Sequence, residues 1–112
     1  MYHLNPKNPR IWGSLYWDMF FKRAMLYPVK NPSRAHRKVF QEYYKGFLGK
    51  LPCDLCNPSF KQYWKELPIE NYLDSRNDLL MWVYLLKHKV NIKLSKTSPS
   101  FGSIVKKYSK FQ

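Results

Sequence analysis

The chain has 112 residues, enough for one hydrophobic core and too few for two, so a single domain over 1–112 is expected. Aromatic residues make up 18% of it and glycines number only four, which excludes a disordered or linker-like protein. Twenty Lys and Arg against seven Asp and Glu leave a net charge of +13, a field that attracts polyanions, phosphate-bearing cofactors or acidic proteins. Residues 1–10 hold no apolar stretch of the signal-peptide kind. The longest apolar run, Leu79 to Leu86, falls far short of the roughly 20 residues that cross a bilayer. Neither export nor a membrane span is expected.

The first element is a helix in which Trp12, Leu15, Tyr16, Met19, Phe20 and Ala24 recur at steps of three and four, ended by Pro28 and Pro32. Trp17, Phe21 and Met25 widen its stripe, so more than one face is buried. Ser33 caps a second helix whose apolar face runs Phe40, Tyr43, Tyr44, Phe47, Leu48 and Leu51. Pro52, suited to a first helical turn, starts a third helix reaching Trp64 and carrying Cys53 and Cys56 in that turn, with Pro58 interrupting or kinking it. Ser75 and Asp78 have capping-box spacing at the head of the longest helix, Leu79 to Leu94, apolar at first and then lysine-rich. A turn at Thr97–Ser100 leads to a short basic segment with Phe101, Ile104, Val105 and Tyr108. Period-two alternation is absent. The fold class is all-α: a four-helix bundle with a short fifth C-terminal helix.

Cys53 and Cys56 are the only cysteines. A C-x-x-C pair closes a tiny disulfide, acts as a redox couple or supplies half a zinc site. Zinc needs two further ligands, and His3, His36 and His88 form no H-x(3–5)-H pair. A thioredoxin fold lacks its strands here, and so small a ring adds little to stability. At a helix start, unpaired N–H groups and the dipole favour a thiolate, which makes the pair reactive. A dithiol among Trp, Tyr, Phe and lysines points to an aromatic redox cofactor bearing phosphates, a description FAD fits.

Three blocks in order then carry a resemblance. Trp12-Gly13-Ser14-Leu15-Tyr16-Trp17 continuing to Phe21 and Tyr27-Pro28 resembles W-G-R-x-x-W-x-x-x-H followed by Y-P. Leu51-Pro52-Cys53-Asp54-Leu55-Cys56 resembles Y-P-C-x-x-C, and Trp82 through His88 to Leu94 resembles W-x(4)-H-N-x-V-N-x-K-L. These are the motifs of the Erv/ALR flavin-linked sulfhydryl oxidases, and they cover residues 11 to 96. The resemblance implies an FAD-dependent enzyme that forms disulfides in proteins and passes electrons through flavin to dioxygen, giving hydrogen peroxide. Cys53 would exchange with the substrate dithiol through a mixed disulfide and Cys56 would face the isoalloxazine. Trp17 and Phe21 would line the flavin pocket, with Asn91, Lys93 and Lys96 near the ribose and pyrophosphate.

The chain departs from the family at Ser14 and Phe21, where the first motif has Arg and His. It departs again at Lys87 and His88, where the family has its adenine-packing His and its Asn. Lys87 suits a phosphate, which leaves His88 or a neighbouring aromatic to stack on adenine. Tyr84 stands at one position of the missing second family disulfide and Phe101 and Ser103 near the other, so a Tyr84–Phe101 contact is expected instead. By the same resemblance the protein is a homodimer through its first two helices. It lacks the family's extra shuttle cysteines, so a dithiol protein substrate or a thioredoxin-like carrier reaches Cys53 directly. Shortness and a single C-x-x-C look most like the minimal oxidases of large DNA viruses, which act in the host cytoplasm on virion proteins. The rival readings are a basic nucleic-acid-binding or virion structural protein without catalysis, for which Arg34–Lys38 and Lys87–Lys110 supply the charge, and a dithiol carrier without flavin.

Overall fold

The computed structural model describes residues 9–53 and 56–110, with side chains from Gly13 onward. Among these residues lie five α-helices: α1 Pro9–Ala24, α2 Arg34–Lys45, α3 Cys56–Glu66, α4 Arg76–Lys93 and α5 Phe101–Ser109, with a 3₁₀ turn Ile69–Tyr72 ahead of α4. The described residues form no sheet; the sole β feature is an isolated antiparallel bridge between Lys30 and Ser75. The fold is the all-α bundle with a short fifth helix that the apolar spacing predicts. None of the described helices is long and apolar enough to cross a membrane.

Local chemistry sets the helix starts. Ser33 Oγ accepts from the His36 amide at 3.0 Å while His36 Nδ1 accepts from the Ser33 amide at 3.1 Å, a capping box with an imidazole in place of the usual carboxylate. Ser75 Oγ accepts from the Asp78 amide at the head of α4, and Ser100 Oγ accepts from the Ser103 amide at the head of α5.

The core is built on rings. Phe20 of α1 meets Tyr44 of α2 edge-on at 5.1 Å and the tilted ring of Phe60 of α3 at 6.3 Å, and Tyr44 meets Trp82 of α4 edge-on at 5.1 Å. Edge-to-face pairs of this kind add roughly 0.5–1.5 kcal/mol each beyond area burial. Their polar tips are matched inside the protein: Tyr44 Oη donates to the Phe20 carbonyl at 2.7 Å, Trp82 Nε1 to that of Leu67 at 2.9 Å, and Tyr27 Oη to that of Leu73 at 2.6 Å. Burial pushes the Tyr44 phenol well above its ordinary value.

Two helix boundaries differ from the sequence expectation. α2 ends at Lys45 rather than near Leu51, because i→i−3 bonds from Phe47, Leu48 and Lys50 tighten the chain and Gly49 turns it with φ +73°. Phe47, Leu48 and Leu51 still pack on the core from this irregular stretch. Pro52 does not open α3. The Asn57 side chain clasps Leu51 instead, Oδ1 accepting from its amide at 2.8 Å and Nδ2 donating to its carbonyl at 3.1 Å, which holds Leu51 and Pro52 in a bend. Cys53 therefore precedes the helix and only Cys56 lies on it. Pro58 falls in the first turn of α3, where a missing N–H goes unpaired in any case, so it interrupts nothing.

α5 returns along the bundle without a covalent tie. The Tyr84 and Phe101 rings meet edge-on at 5.5 Å, as the sequence register leads one to expect, and Tyr84 Oη donates to the Pro99 carbonyl at 2.6 Å. At the other end of α5, Tyr108 stacks on Phe21 at 4.9 Å and its hydroxyl donates to Asp18.

Candidate functional site

The two sulfurs are joined as a disulfide, with Cα atoms 5.2 Å apart. The Cys53 carbonyl accepts from the amides of Cys56 at 3.0 Å and Asn57 at 3.2 Å, which ties Cys53 to the first turn of α3. Cys56 begins α3, at its positive end, while Cys53 stands outside the helix.

Both cysteines form part of the wall of a cavity of about 440 Å³. α1 and α3 contribute its aromatic side, with Tyr16, Trp17 and Phe20 facing Phe60 and Tyr63. The last turns of α4, the loop after it and α5 contribute amines: Lys87, Lys93, Lys96 and Lys107. Lys93 Nζ donates to Ser59 of α3, which links the cationic wall to the disulfide-bearing helix. Burial and the neighbouring Lys107 and Lys96 ammonium groups lower the Lys87 pKa, and Asp18 offsets this only in part. Asp18 already accepts from Tyr108, whose phenol is pushed up by burial and by that hydrogen bond. The cavity thus holds clustered positive charge that a bound anion would relieve. It also has open room: Gly13 is buried, yet a Cβ added there would meet nothing within 4 Å.

Of the residues the sequence nominates, Cys53, Cys56, Ser14, Trp17, Lys87, Asn91, Lys93 and Lys96 line this cavity together. Phe21 and His88 do not. Phe21 is fully buried behind Tyr108, and His88 turns away to Ser98, its Nδ1 2.7 Å from Ser98 Oγ. His88 is therefore not placed to stack on a ligand in the cavity. Trp82 is fully buried, a core residue. The Trp12 side chain, Asp54, Leu55 and His3 lie outside the described residues. The described residues contain no cluster of metal-ligating side chains, and His36 is spent on the α2 cap. Asp18, Tyr63, Lys107 and Tyr108 join the site unannounced. The only local sign was the spacing of Ile104, Val105 and Tyr108, an apolar face with Lys107 beside it.

An aromatic wall, a disulfide and a set of amines around one cavity define a site for a flat, phosphate-bearing redox cofactor in contact with a dithiol couple. The comparisons agree. Residues 14–110 match the sequence profile of the Erv1 / Alr family, and the chain belongs to that family, the FAD-linked sulfhydryl oxidases. The fold is similar to the yeast Erv1 core, with a TM-score of 0.83 at 23% identity over 96% of this chain and 89% of that one. It is similar also to the FAD binding domain of Erv1 from Saccharomyces cerevisiae, with a TM-score of 0.80 at 24% identity over 89% of this chain and 92% of that one. No curated protein matches the chain by sequence.

Proposed function

We propose that the chain oxidises dithiols in a protein substrate, or in a thioredoxin-like carrier, at Cys53 and delivers the electrons to dioxygen. The observation that carries this reading is the position of the Cys53–Cys56 disulfide in the wall of the aromatic and cationic cavity. A substrate thiolate attacks Cys53 Sγ; the Cys53–Cys56 bond breaks, a mixed disulfide forms and Cys56 leaves as a thiolate at the start of α3. The second substrate thiolate then attacks the substrate sulfur of the mixed disulfide, releasing Cys53 and leaving the substrate oxidised and the pair reduced. Bound FAD supplies the acceptor that returns the pair to its disulfide and carries two electrons, with two protons, to dioxygen as hydrogen peroxide. Ser14 and Trp17 would hold the flavin ring, while Lys87, Asn91, Lys93 and Lys96 would hold the ribose and phosphates. Trp17 meets Phe20 edge-on at 5.9 Å, which fixes its ring for stacking.

Dimerisation with a second copy is supported by apolar side chains left in solvent on the first two helices: Leu15 at 60% exposure and Met19 at 44%, one turn apart on α1, and Val39 at 61% on α2. Likeness to the minimal oxidases of large DNA viruses supports a role on virion proteins in a host cytoplasm.

The purified protein is expected to be yellow, with a flavin absorbance band. Cys53→Ser should keep that colour and stop turnover, and Cys56→Ser should abolish dithiol-driven oxygen uptake. A colourless protein that still exchanges disulfides would instead be a carrier. A colourless one binding DNA with a steep salt dependence would be the basic binder.

A further inference from the structure

Asn91 is the only carboxamide among the described residues that line the cavity, and it is 7% exposed. Its Nδ2 donates to Ser98 Oγ at 3.0 Å, and the same oxygen lies 2.7 Å from His88 Nδ1. Ser98 Oγ accepts from Asn91 and also hydrogen-bonds His88 Nδ1, so one hydroxyl bridges the carboxamide and the imidazole.

The far end of this relay is anchored. The His88 ring lies parallel to that of Tyr84 (3° between planes, centroids 6.4 Å apart), and Tyr84 is itself held by Pro99 and Phe101. Ser98 is brought back over α4 by the helix end: Ser95 turns with φ +57°, and the Lys96 amide donates to the Asn91 carbonyl at 2.8 Å.

We propose that His88 and Ser98 are positioning residues that fix which edge of the Asn91 carboxamide the cavity receives. With Nδ2 committed to Ser98, the carbonyl edge is the one offered to a ligand. That edge matters because the groups around it, Lys87, Lys93 and Lys96, are all donors, and the one carboxylate, Asp18, is engaged by Tyr108. A flipped amide would add a donor to donors. The held one accepts a hydrogen bond from an N–H or O–H of the nucleoside half of FAD, so this inference rests on the flavin reading above. His88, out of reach of the cofactor itself, acts on it through two hydrogen bonds.

FAD affinity measured by flavin fluorescence on cofactor-stripped protein tests this. Ser98→Ala and His88→Ala should each weaken binding about five- to tenfold, the effect of losing one buried hydrogen bond. Ser98→Thr, which keeps the hydroxyl, should restore it. In an Asn91→Ala background, Ser98→Ala should cost nothing further, because the group it orients is gone. If Ser98→Ala binds FAD like the parent, or if its loss is the same in the Asn91→Ala background, the relay is refuted. If the parent itself binds no FAD, the flavin reading falls, and the relay falls with it.

Discussion

At the scale of single residues, Gly13 and Lys87 show how far the cavity is shaped for an occupant. A glycine in a helix interior costs about 1 kcal/mol relative to alanine, and at Gly13 nothing but open space faces the missing side chain. Gly13→Leu is therefore expected to raise the melting temperature of the flavin-free protein while leaving it colourless, which thermal unfolding and an absorbance spectrum would check. Lys87 has a lowered pKa, so the folded protein bears a cost for keeping it charged. That cost is full at pH values below the lowered pKa and vanishes as pH rises toward the ordinary lysine value of 10.5. Lys87→Met should thus stabilise the flavin-free protein near neutral pH, with the advantage over the parent shrinking at alkaline pH. The same change should weaken FAD affinity about tenfold through loss of a charged hydrogen bond. The sequence disclosed Cys53, Cys56, Lys87, Lys93 and Lys96 because their chemistry marks them whatever way they point. It misplaced Phe21 and His88 for a geometric reason. Neighbouring residues on a helix differ by about 100°, so Phe20 and Lys87 reach the cavity while Phe21 and His88 do not. On α1 the polar residues Ser14, Asp18 and Lys22 make only a narrow stripe among apolar ones, too narrow to settle that rotation.

Among the elements, α5 bears most on the site, since it brings Lys107 and Tyr108 to the cavity. Its root is held by the Tyr84–Phe101 pair, the Tyr84–Pro99 hydrogen bond and the Ser100 cap, and its tip by Phe21 and Asp18. Phe101→Ala should destabilise the protein by about 1–2 kcal/mol, less than a fully buried ring would cost. It should also speed amide exchange over residues 101–109 more than elsewhere and loosen FAD, as hydrogen exchange with and without the cofactor would reveal. The helix count and the role of Ser33 and Ser75 as caps follow from spacing and side-chain chemistry. The end of α2 and the start of α3 do not, because they depend on the Asn57 clasp on Leu51 and on the left-handed turn at Gly49. A proline before a C-x-x-C looks the same whether it opens a helix or sits in a bend. The contact between Asp18 and Tyr108 spans 90 residues and leaves no local trace.

Over the whole molecule, positive charge is left largely uncompensated. Most described carboxylates are already occupied: Glu66 by Gln62 and Lys89, which hold it below the usual carboxylate range, Asp74 by Arg37, Glu70 by Gln41 and Asp18 by Tyr108. The net +13 therefore acts outward. An acidic dithiol peptide should be oxidised about tenfold more slowly when salt is raised from about 0.05 to 0.5 M, since steering fades as the screening length shortens. Oxidation of an uncharged small dithiol should hardly change, and stopped-flow rates on the two substrates would separate steering from chemistry. The arrangement has one more effect. Both cysteines of the chain lie in the Cys53–Cys56 disulfide, and α5 is fastened by packed rings, buried Ile104 and hydroxyl hydrogen bonds. A reductant that opens the Cys53–Cys56 bond therefore finds no sulfur bond in the rest of the scaffold to break, so exposure to thiols should leave the helix packing in place.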